Sequence, residues 1–314
     1  MKIILTGALG HIGSRMIRDL PNHFEDSEII MIDDFASERY ASLFDLPTSA
    51  RYKFIEGDVT NMDLSDVIKG ADAVIHLAAI TDAAGSFEKA EQVEKQNFGA
   101  TQNVAETCAA KRIPLIYPST TSVYGTQKEV VDEDCSEEDL NPQSPYAETK
   151  LKEEALLSEM AKSAKLQHVT FRFGTIFGTA PGMRFHTAVN KFCFQAVMGQ
   201  NLTVWSTALD QKRPYLDLSD AVGVVVHTIK TGLFDGKIYN VLSANATVRQ
   251  VLDAIRAHVP DLQISFVDTQ IMNQLSYGVA ADKIADRGFT PKGDMIQSIE
   301  ATIKLLRQAG GIVE

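Results

Sequence analysis

The segment Lys2-Ile3-Ile4-Leu5-Thr6-Gly7-Ala8-Leu9-Gly10-His11-Ile12-Gly13 begins with an apolar run and continues into three glycines spaced three apart. The apolar run predicts a short buried strand. Apolar residues at helical spacing up to Leu20 predict a helix after the glycines. A strand, a glycine turn and a helix in this order begin a βαβ unit, and the backbone N–H groups of such a turn can approach a pyrophosphate. The residues predicted to form this binding turn are Gly7, Gly10, His11, Ile12 and Gly13.

A second predicted strand, residues 28–32, ends in the adjacent carboxylates Asp33 and Asp34. Asp33 comes 20 residues after Gly13, where a carboxylate can accept hydrogen bonds from both ribose hydroxyls of an adenosine. Its charge repels the 2′-phosphate of NADP, although Arg39 lies nearby in the sequence. We therefore predict a dinucleotide site that takes NAD.

Strands and helices continue to alternate through the first half of the chain. This alternation predicts an α/β fold with a doubly wound parallel sheet (Rossmann) that is covered by helices on both faces. Ligands of such sheets bind outside the carboxyl ends of the strands. The further predicted elements are the strands 52–56, 72–76, 114–117 and 169–172 and the helices 86–110 and 145–165.

After about residue 175 the predicted helices and strands are shorter and their alternation is less regular. We predict an NAD-binding Rossmann domain over residues 1–175. A smaller C-terminal α/β substrate-binding lobe over residues 176–314 is interleaved with it, without a sharp boundary. The elements predicted for the lobe are the helices 187–198, 219–230 and 248–257 and the strands 202–205 and 214–218.

The composition limits the class of partner. The chain has 314 residues, of which 45% are hydrophobic and 23% charged, as in a globular protein with a sizeable core. Its net charge of -11 argues against nucleic acid or an anionic membrane surface as the partner. No apolar run reaches the roughly 18 residues that span a membrane, and no secretory leader precedes the first strand. The cysteines lack paired spacing, and no His/Cys/Asp grouping has metal-ligand spacing. We therefore expect a cytoplasmic protein that binds no metal.

Tyr146 and Lys150 are four residues apart in a segment whose apolar residues keep a helical period. Residues four apart lie on one face of a helix, so the ammonium can reach past the phenol towards a bound ligand. A free phenol has a pKa of about 10, and a neighbouring cation lowers the pKa of a phenol. The spacing alone is common on ordinary surface helices. Beside a dinucleotide turn it predicts a proton acceptor in catalysis.

These motifs together resemble the extended short-chain dehydrogenase/reductases, and within them the nucleotide-sugar epimerase/dehydratase family, of UDP-glucose 4-epimerase type. The resemblance extends from Met1 to about residue 292. The motifs that carry it are Thr6-Gly7-x-x-Gly10-x-x-Gly13, Asp33, Asp58-Val59, His76-Leu77-Ala78-Ala79, Asn97-x-Gly99-Ala100-Thr101, Ser119-Thr120-x-x-Val123-Tyr124-Gly125, Tyr146-x-x-x-Lys150 and Arg172-Phe173-Gly174.

The resemblance implies a role for each matching residue. Tyr146 would be the catalytic acid/base, Lys150 would bind the nicotinamide ribose, and Thr120 would hydrogen-bond the reacting sugar oxygen. The cofactor-binding residues implied beyond the turn and Asp33-Asp34 are Asp58, Val59, Leu77, Ala78, Ala79, Asn97, Tyr146, Lys150 and Phe173. The residues implied to bind a nucleotide-diphosphate sugar are Thr120, Ser122, Tyr146, Thr175, Arg184, Asn190 and Arg213. The resemblance also implies a homodimer, formed by the helices 86–110 and 145–165 as a four-helix bundle.

Some of these residues have simpler explanations. Thr120 lies in a run of Ser and Thr that could cap backbone groups, and Asp58 could stabilise a helix N-terminus. His76 ends an apolar strand and fits a hydrogen-bonded core histidine better than a ligand. Thr175 stands where the family usually has an Asn that contacts the substrate.

The residues after Thr120 distinguish reactions within the family. Dehydratases of the family usually place Asp-Glu there, and reductases of the GDP-fucose-synthase type place a Cys first. Thr121 and Ser122 match neither group. We therefore expect an NAD-dependent nucleotide-sugar epimerase, acting at C4 through a transient 4-keto intermediate. The alternatives are a nucleotide-sugar dehydratase or ketoreductase and a small-substrate NAD-dependent dehydrogenase of the threonine-dehydrogenase type. A non-catalytic NAD sensor would be expected to lack Tyr146 or Lys150.

Overall fold

The computed structural model describes residues 1–82, 85–125, 128–268 and 276–309. Its strands are β1 (Lys2–Thr6), β2 (Glu28–Asp33), β3 (Arg51–Glu56), β4 (Ala73–His76), β5 (Leu115–Thr120), β6 (Val130–Val131), β7 (His168–Phe173), β8 (Thr175–Phe177), β9 (Leu202–Trp205), β10 (Lys212–Asp217), β11 (Ile238–Val241), β12 (Ala244–Thr247), β13 (Ile264–Val267) and β14 (Gly278–Val279). Its α-helices are α1 (His11–Asp19), α2 (Ala90–Lys111), α3 (Pro145–Ser163), α4 (Ala188–Val197), α5 (Leu218–Thr231), α6 (Val248–Arg256), α7 (Asp282–Ala285) and α8 (Met295–Ala309).

Seven strands form one sheet in the order β11-β7-β5-β4-β1-β2-β3, and all neighbouring strands in it are parallel. The chain builds outward from β1 to β3 and then returns to place β4 on the other side of β1. The strand order therefore reverses between β1 and β4, and ligands of open α/β sheets bind at such a point. The predicted doubly wound parallel sheet is confirmed.

Helices cover both faces of this sheet. Side chains alternate between the faces of a strand, so neighbouring residues of β1 enter different cores. Ile3 packs in one core with Met16 of α1 and residues of α5. Ile4 packs in the opposite core with Val104 of α2 and Leu157 of α3. Each such buried aliphatic side chain contributes about 1.5–3 kcal/mol of transfer free energy, which fixes the helices against the sheet.

The seventh strand, β11, was not predicted from the sequence. It is four residues long and contains the polar Asn240, so it carries little strand periodicity. Its Ile238 pairs with Thr170 of β7, which brings residues 238–241 into the main sheet. Because this strand comes from beyond residue 175, the two predicted units share the sheet. The division at residue 175 stays a prediction about folding units.

The remaining elements form a smaller lobe with its own core. Strand β10 pairs in parallel with β8 and antiparallel with β12, while β9 pairs with β13. Helices α4, α6 and α8 enclose a cluster that includes Cys193, Val251 and Ile303. The predicted smaller C-terminal lobe is confirmed. Among the residues that the structure describes, no helix is both long and apolar enough to cross a membrane.

Candidate active site

A cavity of about 710 Å³ lies at the carboxyl ends of β1, β2, β4 and β5. Most residues that the sequence singled out line this one cavity, although they come from widely separated parts of the chain. The predicted residues on its wall are Gly7, Gly10, His11, Ile12, Gly13, Asp33, Asp34, Asp58, Val59, Leu77, Ala78, Ala79, Asn97, Thr120, Ser122, Tyr146, Lys150, Phe173, Thr175 and Arg184.

The glycine turn is too closely packed for side chains. Gly7 has a φ of 64°, and a Cβ there would lie 2.6 Å from the backbone nitrogen of Ala78. A Cβ on Gly13 would lie 2.5 Å from the carbonyl oxygen of Gly7. Helix α1 begins at His11, so its first N–H groups face the cavity. The turn therefore has the backbone geometry and positive helix end that a dinucleotide pyrophosphate requires.

Asp33 is held at the end of β2 by two backbone groups. Its carboxylate accepts hydrogen bonds from the N–H groups of Leu9, at 3.0 Å, and Phe35, at 3.1 Å. Burial raises the pKa of Asp33, whereas these hydrogen bonds act in the opposite direction. Arg39 also lines the cavity and contributes positive charge close to this carboxylate. Asp33 is thus fixed at the cavity wall where the adenosine ribose of a dinucleotide would bind.

The local sequence explains why helix α3 begins where it does. The Ser144 hydroxyl accepts a hydrogen bond from the N–H of Ala147, and Pro145 occupies the first helical position. Tyr146 therefore lies in the first turn and Lys150 one turn later. The ammonium of Lys150 is 6.0 Å from the centre of the Tyr146 ring. The two side chains therefore lie on the same side of the helix, and a catalytic role for the pair stays a prediction.

Thr120 reaches the same cavity from the end of β5. Its hydroxyl accepts a hydrogen bond from the N–H of Ser122 at 3.1 Å, so it does cap the short turn at residues 121–123. Thr120 and Ser122 nevertheless both line the cavity. The neighbouring Thr121 is 3% exposed and donates to the carbonyl of Phe173. Capping and substrate contact are therefore compatible at Thr120.

His76 is a hydrogen-bonded core histidine, as its position at the end of an apolar strand predicts. It is 3% exposed, and its ring nitrogens hydrogen-bond with Thr6, at 2.7 Å, and Thr101, at 3.2 Å. Burial, followed by the charge of Lys150, lowers the pKa of His76 to about 3. The ring is therefore neutral in the folded protein at neutral pH.

Arg184 belongs to the C-terminal half of the chain, but its side chain reaches the residues that follow β4. Its guanidinium hydrogen-bonds with the hydroxyl of Thr81, and burial lowers the pKa of Arg184. Its Nε is buried and has no hydrogen-bond partner among the described residues. A guanidinium on the cavity wall is suited to bind an anionic group.

The segment that leads to Arg184 packs on the glycine turn. His11 donates from Nε2 to the carbonyl of Gly178 at 2.8 Å, and the N–H of Gly182 donates to the hydroxyl of Ser14 at 2.9 Å. Burial lowers the pKa of His11 to about 4, so the ring is neutral at neutral pH. His11 thus borders the cavity and also fastens the C-terminal half of the chain to the dinucleotide turn.

Two predicted substrate residues do not line the cavity. The carboxamide of Asn190 is buried and bonds to both backbone groups of Gly178, so it holds the loop that precedes Arg184. Arg213 on β10 lies with its guanidinium 5.6 Å from the ring centre of Tyr277 and donates to the side chain of Gln211. A substrate contact for either residue stays a prediction.

The cavity wall also includes residues that sequence reasoning missed. Except for Gln96, which lies on α2, they come from loops without periodic spacing, so no local pattern marks them. Among them are Thr81, Asp82, Gln96, Gln143, His186 and Thr187. Tyr117 and Glu153, which contact Lys150, were missed as well. The only available signal for Glu153 was its position three residues after Lys150, on the same helix face.

Other candidate chemistry is not found among the described residues. They contain no group of three or more His, Cys, Asp or Glu side chains that could hold a metal ion. The three cysteines, Cys108, Cys135 and Cys193, are free thiols. Burial raises the pKa of Cys108 to about 12, which makes it a poor nucleophile.

Comparisons with known proteins identify chains that are similar to this one. The model of the NAD dependent epimerase/dehydratase family matches residues 3–241. An uncharacterized UDP-glucose epimerase of Bacillus subtilis, YtcB, is 31% identical over 81% of this chain and 81% of its own length. A trifunctional UDP-glucose 4,6-dehydratase/UDP-4-keto-6-deoxy-D-glucose 3,5-epimerase/UDP-4-keto-L-rhamnose-reductase of Arabidopsis thaliana is 27% identical over 96% of this chain, which spans about half (46%) of that relative.

A solved structure is similar over the whole fold. The UDP-glucuronic acid 4-epimerase of Bacillus cereus, in complex with UDP-glucuronic acid and NAD, superimposes with a TM-score of 0.86. The two chains are 26% identical, and the match covers 98% of this chain and 100% of that one. The motif resemblance, the sheet topology and the cavity at the switch point all agree with these matches. The chain therefore belongs to the NAD dependent epimerase/dehydratase family, with NAD as its dinucleotide cofactor.

Proposed function

We propose that this protein is a nucleotide-sugar epimerase that inverts C4 of the sugar through a transient 4-keto intermediate. The observation that carries the proposal is the convergence of Tyr146, Lys150 and Thr120 on the cavity that contains the dinucleotide turn. The similarity to the B. subtilis relative and to the B. cereus structure, both named as epimerases of UDP-sugars, supports it. UDP-sugars are accordingly the first substrates to test.

The chain's own residues account for the proton transfer. The Tyr146 phenolate accepts the proton of the C4 hydroxyl and returns it after the sugar has turned over. The Lys150 ammonium stabilises the phenolate, and the Thr120 hydroxyl can hydrogen-bond the sugar oxygen as its charge changes. NAD, when bound, supplies the acceptor and donor of the C4 hydride.

Arg184 is our candidate for the anionic part of the substrate. Its position on the cavity wall beside Thr81 supports a contact with a phosphate or carboxylate. Thr175 and Ser122, which also line the cavity, offer hydroxyl groups for the sugar. In this proposal Arg184 orients the substrate and Tyr146 does the acid/base chemistry.

Dehydration is the second candidate, because the trifunctional relative includes a 4,6-dehydratase. A dehydration needs an additional acid and base beside the sugar. Thr121 and Ser122 cannot serve, since hydroxyl groups do not titrate near neutral pH. Asp82 lines the cavity and is a carboxylate that could take one of these roles. The choice between the two reactions therefore needs an isotope experiment.

The experiment first uses thermal shift to find a ligand in a panel of nucleotide sugars, since a ligand that binds only the native state raises the melting temperature. The reaction is then run in deuterated water. Product without deuterium and without net NADH supports C4 epimerisation, because the hydride leaves and returns on one cofactor. Deuterium at C5 of a 4-keto-6-deoxy product would show dehydration, because the cofactor returns the hydride to C6 and a solvent proton enters at C5. Deuterium at C3 or C5 without loss of water would show epimerisation beside a ketone, and accumulating NADH would show a dehydrogenase.

We further propose that the enzyme is a cytoplasmic homodimer. Free thiols are typical of a reducing compartment. Helices α2 and α3 pack side by side, and the exposed side of α2 carries a shallow groove beside Phe98. A second copy of this helix pair is the partner that completes a four-helix bundle.

A further inference from the structure

Lys150 lies in a buried polar cluster that extends away from the cavity. Its ammonium is 2.9 Å from the Tyr117 hydroxyl oxygen, 3.3 Å from the carbonyl oxygen of Pro118 and 3.3 Å from Glu153 Oε2. The side chains of Lys150 and Glu153 are 5% and 0% exposed. A buried carboxylate therefore lies directly beside the lysine that supports Tyr146.

The hydrogen bonds around Glu153 indicate an ionised carboxylate. Tyr117 donates its hydroxyl to Oε2 at 2.5 Å, and Thr101 donates its hydroxyl to Oε1 at 2.7 Å. Burial, followed by the charge of Glu153, raises the pKa of Tyr117 well above its usual value, so this phenol stays protonated. With Lys150, the carboxylate accepts from three donor groups, which is how a buried charge is stabilised.

The hydrogen bonds of this cluster continue from Glu153 to the glycine turn, and the donor and the acceptor of each bond can be assigned. Since the Thr101 hydroxyl donates to Glu153, the neutral His76 donates from Nε2 to Thr101, at 3.2 Å. His76 Nδ1 then accepts from the Thr6 hydroxyl, which in turn accepts from the N–H of Ala78. The assignment leaves every member paired and links the end of β1 to Lys150.

We propose that Glu153 is a positioning residue that sets how much positive charge Lys150 presents to Tyr146. The inference rests on the proposed acid/base role of Tyr146. An epimerase must use one phenol first as a base and then as an acid, and both steps are efficient only if the phenol ionises near the working pH. A lysine without a counterion would favour the phenolate too strongly for the return of the proton. Glu153 offsets part of that charge and, with Tyr117, fixes the position of the ammonium.

The other charged and titratable groups around this cluster do not replace Glu153. His76 faces it from β4 and is neutral, and Tyr117 faces it from β5 and stays protonated. Glu154, the next residue of α3, is paired with Arg172 of β7 at 2.7 Å. Arg184 adds positive charge on the cavity side of Tyr146. Helix α2 contributes the uncharged Thr101. Glu153 is therefore the carboxylate that balances Lys150.

The test measures the ionisation of Tyr146 directly, in the NAD-bound protein. Tyrosinate and tyrosine differ in ultraviolet absorbance, so the titration of Tyr146 is the difference between a protein and its Tyr146→Phe counterpart. Glu153→Gln keeps the shape and removes the charge, and it should lower the pH at which Tyr146 ionises by about one unit. Glu159→Gln, an exposed change on the same helix, should leave this pH unchanged.

An unchanged or higher ionisation pH in a folded Glu153→Gln protein would overturn the proposal. If Glu153→Gln does not fold, Glu153→Asp decides: the shorter side chain draws the carboxylate away from the Lys150 ammonium and should shift the titration in the same direction by less. No shift in the Glu153→Asp protein would then reject the proposal. The titration needs no substrate. A wild-type protein that turns over no nucleotide sugar would contradict the proposed function while the titration still decides the role of Glu153.

Discussion

Arg172 of β7 and Glu154 of α3 form a buried two-point ion pair. Arg172 Nη2 is 2.7 Å from Glu154 Oε2, and its Nε is 3.0 Å from Oε1. The Ser119 hydroxyl donates to the same carboxylate, and the Tyr124 hydroxyl accepts from Arg172 Nη1 at 2.9 Å. Because α3 carries Tyr146 and Lys150, this pair holds the proposed catalytic helix against the sheet.

The first prediction concerns the removal of one member of this pair. Glu154→Ala leaves a buried guanidinium without its counterion, and such changes cost about 3–5 kcal/mol. The free energy of unfolding, measured by urea denaturation, should fall by that amount. Arg249→Gln breaks an exposed pair with Asp210 and should cost at most about 1 kcal/mol. An equal loss of unfolding free energy in the two variants would show that burial does not make the Arg172–Glu154 pair more important for stability than an exposed pair.

Tyr146→Phe should remove turnover and leave NAD binding unchanged, because only the hydroxyl that exchanges the proton is lost. The rate should fall by about 10²- to 10⁴-fold. Lys150→Ala should weaken both turnover and NAD binding, since the ammonium supports the phenolate and is predicted to bind the ribose. Lys162→Ala, an exposed change on the same helix, is the control. Normal turnover in the Phe variant would show that α3 is not the catalytic helix.

NAD should bind more tightly than NADP, because Asp33 would face the 2′-phosphate. Asp33→Asn should raise the affinity for NADP relative to NAD by about tenfold, as expected for the loss of one like-charge contact of roughly 1.4 kcal/mol. Asp34→Asn, which changes the adjacent carboxylate, should have a smaller effect. Titration of the three proteins with both cofactors measures this. A wild-type preference for NADP would refute the role given to Asp33.

Light scattering at micromolar concentration should give twice the mass of one chain. Phe98, half-buried on the exposed side of α2, would lie in the proposed interface. Phe98→Glu should produce monomers, because a carboxylate there would be buried without a partner. Phe266→Glu, an exposed aromatic change in the C-terminal lobe, should leave the mass unchanged. A monomeric wild type would reject the dimer.

Stability should fall as the pH drops from about 6.5 to 4. Burial lowers the pKa of His11 from 6.5 to about 4, so in this range the unfolded chain binds a proton that the folded protein does not. This contribution is complete above pH 6.5, is lost as the pH falls to 4, and amounts to about 3 kcal/mol. His11→Gln should therefore show a shallower decrease in denaturation experiments across this range. Parallel curves for the two proteins would show that His11 does not titrate as described.

The sequence by itself determined the parts of this protein that local rules control. The glycine turn, Asp33 and the Tyr146-Lys150 spacing each depend on short-range geometry: a forbidden Cβ, the end of a strand and the period of a helix. Alternating strands and helices then implied the parallel sheet, and the carboxyl ends of its strands brought these residues to one cavity. No long-range contact had to be known in advance for these conclusions.

Only the tertiary structure decided which distant groups meet. Strand β11, residues 238–241, completes the main sheet from beyond residue 175, and its four residues show too little periodicity to be recognised alone. The carboxamide of Asn190, which is predicted to bind the substrate, also bonds to Gly178, 12 residues away in the sequence. Glu153 and Tyr117 come together at Lys150 because α3 packs against β5, a contact between residues 36 positions apart. Such contacts depend on how whole elements pack. A local sequence pattern shows which face of a helix or strand is apolar, but it does not show which other element packs against that face.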